Sequence, residues 1–229
     1  MFRELLKAWR TCDPVCHMLH LLDGMLADTR WMFEEACAVL GGEKPAADVR
    51  DRLFERDQRV NRVEREVRRK IRDYLATGAD ANIPGCLALI STVKDAERIG
   101  DYCKNVFELA EVYGRPLEEG RYSAPLLGIR KEILAFFEMT RQAYADGDDA
   151  LAREVVHRKA TVSKETDLLI DQLVRDNLDT AYAVAYALLA RHFKRISSHL
   201  ANIASSVFAP LDAIDYSDEP GWKHADDPE

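Results

Sequence analysis

Lys94-Asp95-Ala96-Glu97-Arg98-Ile99-Gly100-Asp101-Tyr102-Cys103-Lys104-Asn105-Val106 is the stretch whose reading decides the fold. On a helix, the four-residue spacing of Glu97 and Asp101 stacks them on one face, with Asn105 one turn further along. Two carboxylates at that spacing repel by a few tenths of a kcal/mol in an isolated helix. A positive group is therefore expected beside them. Arg98 and Lys104 are candidates within the stretch, and a metal ion preferring oxygen ligands is the other. Gly100 costs about 1 kcal/mol of helix propensity relative to Ala. Its missing side chain would let another helix or a ligand come close.

Outward from this stretch the chain reads as long helices. Upstream, Pro84 begins the helix that carries the motif, and Gly114 ends it after Tyr113. A preceding helix runs from Pro45–Asp48 to about Ala76, with Leu53, Val60, Val63, Val67, Ile71 and Tyr74 in steps typical of a bundle. Before it, Asp13-Pro14 opens a helix whose apolar positions Val15, Met18, Leu19, Leu22, Met25, Leu26, Met32 and Phe33 lead to Leu40 and the stop Gly41-Gly42. Phe2, Leu5, Leu6 and Trp9 form a short amphipathic lead-in over residues 1–12.

Downstream, residues 114–120 form a hinge. Ser123-Ala-Pro125 restarts a helix with Leu126, Ile129, Ile133, Phe136, Phe137 and Tyr144. After a turn at Asp146–Asp149, a fifth helix carries Leu151, Val155, Val162, Leu169, Leu173 and Val174 and ends near Asn177. Asp179-Thr180 caps a sixth, expected to reach Phe208 before Pro210. No segment has the alternation of a strand. The expectation is an all-α, six-helix bundle built from two tandem three-helix repeats, residues 13–114 and 121–209.

The repeats show in the residues themselves. At an offset of 97, Arg98, Ile99 and Asn105 meet identical Arg195, Ile196 and Asn202, and Val106 meets Ile203.

Composition narrows the function. The 229 residues are 47% hydrophobic and 31% charged, enough for a full-sized core. No apolar run approaches the ~20 residues needed to span a bilayer. The N-terminus lacks the apolar core of a signal peptide, so a cytoplasmic location is expected. The five cysteines fit reduced thiols in helices better than a disulfide framework. Much of the net charge of −8 falls in residues 210–229, which hold seven acids and one lysine. That tail is expected to be disordered or loosely docked. The body is then nearly neutral, which argues against nucleic-acid binding. No phosphate-binding glycine loop or nucleophile–base spacing is present, so catalysis is not expected.

Glu97-Arg-Ile-Gly-Asp101 followed by Asn105 resembles the E-x-x-x-D helix of PhoU domains, and Asp57-Gln-Arg-Val60-Asn61 resembles that family's D-x-x-V-N pattern. The resemblance covers nearly the whole chain up to about Phe208. It implies a regulator of bacterial phosphate transport or phosphate-starvation signalling. Its partner would be the ATPase of the phosphate ABC transporter or a phosphate-sensing histidine kinase. A homodimer is also implied. The motif pairs of that family hold clusters of transition-metal ions, so Glu97 and Asp101, with Asp57 on the facing helix, become candidate ligands for a divalent metal such as iron or zinc. The second half departs from the pattern. Lys194 and Ser198 stand at the two motif positions, and Lys159 is the counterpart of Asp57. At most one metal site is expected. The alternatives are a metal-binding bundle with an enzymatic or storage role and a metal-free adaptor bundle.

Other constellations carry weaker readings. Cys12, Cys16 and His20 have spacing that zinc could use, though Pro14 breaks their shared face. Glu154-Val-Val-His157 is a single E-x-x-H, where a di-iron bundle needs two and further glutamates. His192 and His199, near Arg191, Lys194 and Arg195, are either partly exposed or placed to meet an anion such as phosphate. The basic run Arg59–Arg72, interleaved with Glu64 and Glu66, reads as a solvated bundle helix or as a face for an anionic surface.

Overall fold

A computed structural model describes residues 13–77, 82–118 and 120–214. These residues form six helices: α1 (Asp13–Leu40), α2 (Ala46–Ala76), α3 (Ile83–Tyr113), α4 (Ser123–Asp146), α5 (Asp149–Arg175) and α6 (Thr180–Ser205). Among the described residues there is no strand. The lead-in 1–12 and most of the acidic tail, 215–229, lie outside them.

Each boundary has a local cause. Asn82 caps α3 by accepting a hydrogen bond from the Gly85 amide at 3.0 Å, and Pro84 occupies the first turn. Asp148 caps α5 through the amides of Ala150 and Leu151, both at 3.0 Å, and Asp179 caps α6 through Tyr182. Gly114 and Gly147 end α3 and α4 with φ of 69° and 67°, the left-handed conformation that a side chain disfavours. α6 stops at Ser205, short of Phe208. Ser205 and Ser206 turn their hydroxyls back onto the carbonyls of Asn202 and Ile203, and the chain tightens into a turn.

The two halves are copies at different lengths. Helices of 28, 31 and 31 residues in the first half answer helices of 24, 27 and 26 in the second. α3 and α6 are central. α3 packs on α1, α2 and α6, while α6 packs on α4, α5 and α3. The core is continuous across the halves: Phe33 of α1 meets Phe137 of α4 and Phe193 of α6 at ring distances of 6.1 and 5.3 Å.

The α3–α6 contact is antiparallel and obeys an approximate two-fold. Tyr102 stacks on His199, its own counterpart at the 97-residue offset, with ring centroids 5.7 Å apart. The pair Asp95–His199 maps, on exchanging the repeats, onto His192–Tyr102, which also touch. Beyond α6, Leu211–Ala213 form one 3₁₀ turn against α3, and Ile214 is buried. The first residues of the acidic tail thus lie against the bundle, with Leu211 and Asp212 still exposed.

Candidate functional site

The motif helix α3 faces α2 along a charged seam. The apolar stripe of α2 (Leu53, Val60, Val67, Ile71) carries it against the core. The same stripe also holds Asp57 and Glu64, each 8% exposed. Carboxylates held that far from water need partners, because an unpaired buried charge is costly. α3 supplies them. The Lys104 ammonium donates to both carboxylate oxygens of Asp57 at 3.3 Å and to Oδ1 of Asp101 at 3.2 Å. One ammonium thus ties α2 to α3. A helical stretch away, Lys94 Nζ lies 2.6 Å from Glu97 Oε2 and 4.0 Å from Glu64 Oε1. Arg68 approaches the same Glu64 oxygen at 2.8 Å, an ion pair without hydrogen-bond alignment. Burial lowers the pKa of Lys104, but Asp57 and Asp101 together outweigh burial, and the net direction is upward.

Asp57, Glu97 and Asp101 are therefore brought to one seam, as the sequence suggests. Of the two basic candidates there, Lys104 takes the role, whereas Arg98 is exposed. Gly100 sits where α1 and α2 close on α3: a Cβ there would lie 3.5 Å from Thr29 Cγ2 and 3.6 Å from Val60 Cγ1. The close approach is by helices.

In the second half the seam between α5 and α6 has other chemistry. Lys159 is buried at the place of Asp57, and Thr166 at the place of Glu64. Lys194, at the place of Glu97, holds Asp167 through two contacts of 2.6 Å.

A family model described as PhoU domain matches residues 17–110 and 127–207, one match per repeat. The chain belongs to the PhoU domain family. PhoU from Pseudomonas aeruginosa has a similar structure, with a TM-score of 0.73 at 22% identity over 85% of this chain and 95% of that one. The phosphate transport system regulatory protein PhoU from Streptococcus pneumoniae is also similar, with a TM-score of 0.67 at 15% identity over 82% and 92%. An uncharacterized protein of Deinococcus radiodurans is 26% identical over 196 residues, which are 82% of this chain and 67% of that one.

A divalent metal at Asp57, Glu97 and Asp101 would meet a donor set already occupied by cations. Among the described residues no three His, Cys, Asp or Glu side chains converge tightly enough to hold a metal ion. The four seam carboxylates instead face two ammonium groups and the Arg68 guanidinium. As arranged, these residues do not fit a resident metal.

The other constellations resolve individually in this PhoU chain. His199 is 3% exposed and donates from Nδ1 to Asp95 Oδ1 at 2.7 Å, so it is a junction residue rather than a partly exposed one. Arg195 Nε donates to the Tyr102 hydroxyl at 3.1 Å, and burial lowers the His192 pKa. Glu154 is exposed and pairs with Arg158, and His157 is exposed beside it, as expected of a polar helix turn. Cys16 and His20 are adjacent, with Sγ and Nδ1 at 3.6 Å, while Cys12 lies outside the described residues. Burial pushes the Cys37 thiol up to about 12 and raises Cys103 as well, which makes both poor nucleophiles. On α2, Arg68–Glu64 and Lys70–Glu66 are the expected one-turn pairs.

The sequence reading missed Glu64 and Lys94. The signal was present: Glu64 is seven residues from Asp57 on the same stripe, and Lys94 lies one turn before Glu97 as Lys104 lies one turn after Asp101.

Proposed function

We propose that this chain regulates phosphate transport and the phosphate-starvation response by protein contact, without catalysing a reaction. The observation that carries this reading is the PhoU-domain match over both repeats, each in register with a three-helix unit. The partner is the ATPase of the phosphate ABC transporter or the phosphate-sensing histidine kinase. Both place the protein in the cytoplasm. No helix among the described residues is long and apolar enough to cross a membrane, which is consistent with a regulator that visits its partner from solution.

The physical means is a stiff surface. A helix of 31 residues is about 46 Å long, and two such helices bound by a continuous core present a fixed face. Among the apolar side chains left exposed on the second repeat, Leu168 and Val174 on α5 and Val184 and Leu188 on α6 are ones that such a contact would cover. Self-association into a homodimer belongs to the same proposal, and sedimentation of the purified protein tests it. Of the alternative readings, a storage or redox bundle requires a metal at the α2–α3 seam. The lysine-paired seam favours the metal-free adaptor form.

The test is removal of the gene from its host. Phosphate uptake and a starvation reporter should stay high in phosphate-rich medium and return to normal on complementation. An unaltered response would contradict the reading. A pull-down from phosphate-replete cells then separates ATPase from kinase.

A further inference from the structure

We propose that Lys104 and Lys94 are the resident cations of the α2–α3 seam, so that the first repeat is closed by ammonium groups and takes no transition-metal ion there. The inference rests on the geometry of the seam, not on the regulatory reading, which would survive its failure.

The arrangement is regular. Along α3 the seam reads Lys94, Glu97, Asp101, Lys104, with the acids inside and a lysine one turn beyond each. Each lysine holds the acid on its own helix and reaches across to one on α2. Lys104 takes Asp101 and Asp57 at 3.2 and 3.3 Å, whereas Lys94 takes Glu97 at 2.6 Å and stands 4.0 Å from Glu64. The two α2 acids are seven residues apart, two helical turns, which matches the antiparallel run of α3. Arg68 adds a third positive group at Glu64. Four carboxylates thus meet three cations within the seam. A metal ion entering between Asp57 and Asp101 would have to expel the Lys104 ammonium from three contacts, all 3.2–3.3 Å long.

The second repeat supports the inference independently. Lysine stands at two of its equivalent seam positions, 159 and 194, and no acid remains at any of the four. Lys194 is itself paired, with Asp167. In both repeats, then, the positive charge of the seam is built into the chain.

The test uses the full chain, purified without chelator or added metal. Elemental analysis should find iron, zinc and manganese far below one ion per chain, and the melting temperature should be the same with and without EDTA. Stoichiometric metal that disappears in Asp57→Asn/Asp101→Asn would overturn the proposal, as would a melting temperature that falls on chelation. The variant Lys94→Met/Lys104→Met uncovers the acids. It should melt several degrees lower, and added zinc or manganese should now raise its melting temperature. A double variant as stable as the parent would show that the lysines do not close the seam. Lys104→Arg keeps the charge and should stay near the parent. If the double variant does not fold, the parent's metal content and its indifference to EDTA still decide the matter.

Discussion

The inward face of α2 holds Leu53, Asp57, Val60, Glu64, Val67 and Ile71, and that of α5, 102 residues on, holds Val155, Lys159, Val162, Thr166, Leu169 and Leu173. All twelve are buried. At the four apolar positions the repeats agree in character, Val60 and Val162 being identical. At the two polar positions they differ completely: acid has become lysine, and acid has become threonine. The facing helices follow, with Glu97 and Asp101 on α3 against Lys194 and Ser198 on α6. The lesson is that apolar spacing fixes how two helices lie, whereas the polar residues in the same stripe can change in sign and kind between repeats as the polar residues facing them change too. Thr166 needs no counter-ion, because its hydroxyl donates to the carbonyl of Val162 at 2.9 Å on its own helix.

The strongest way to break the comparison is to attack the core that the repeats share. Phe33 is fully buried between Phe137 and Phe193 of the second repeat. Phe33→Ala should cost ~3–5 kcal/mol in chemical denaturation. It should lower the stability of both halves in one transition. Two separated transitions, with the second half untouched, would mean that the repeats are independent units.

A smaller effect concerns pH at the two-fold junction. Burial holds the His192 pKa below its ordinary value, so the unfolded chain takes up a proton before the folded one does. Stability therefore falls as pH drops through the ordinary imidazole value of about 6.5, and levels off below the folded value. His192→Phe should flatten that part of the stability–pH curve. An unchanged slope between about pH 7.5 and about pH 5, a window that brackets that value, would assign the loss to another group.

The smallest effect has the opposite sign. α6 carries Ser197 where α3 carries Gly100, so the second repeat already accommodates a Cβ at this place. A Cβ on Gly100 would make ordinary contacts with Thr29 and Val60. Gly100→Ala should raise stability by up to about 1 kcal/mol. A loss would show that α1 and α2 press on α3 more tightly than their counterparts press on α6.

The helices were legible because their ends are written in short-range chemistry. Asn82-Ile-Pro84, Asp148, Asp179, Gly114 and Gly147 act within a turn of where they stand. The inward stripe of α2 was legible at its apolar positions for the same reason, as a helical period. Glu64 was not: a glutamate flanked by arginines reads as a solvated pair until the facing helix is known, and in fact the residue is only 8% exposed. Lys94 was missed because a lysine's long stem lets its charge act on a neighbouring helix, far from where its backbone stands. His199 was misjudged because its burial depends on Asp95, 104 residues away in sequence. Asp57 was found only through its resemblance to a family pattern, which carries tertiary information that local spacing lacks.

The seam is the central claim, and a double-mutant cycle on Asp57→Ala and Lys104→Ala tests it most directly, with unfolding free energies measured in the presence of EDTA. The account predicts a favourable coupling of ~1 kcal/mol or more between the two side chains, as expected for residues in one ion-pair network. Additive effects, or a coupling that emerges only when a divalent metal is restored, would contradict it.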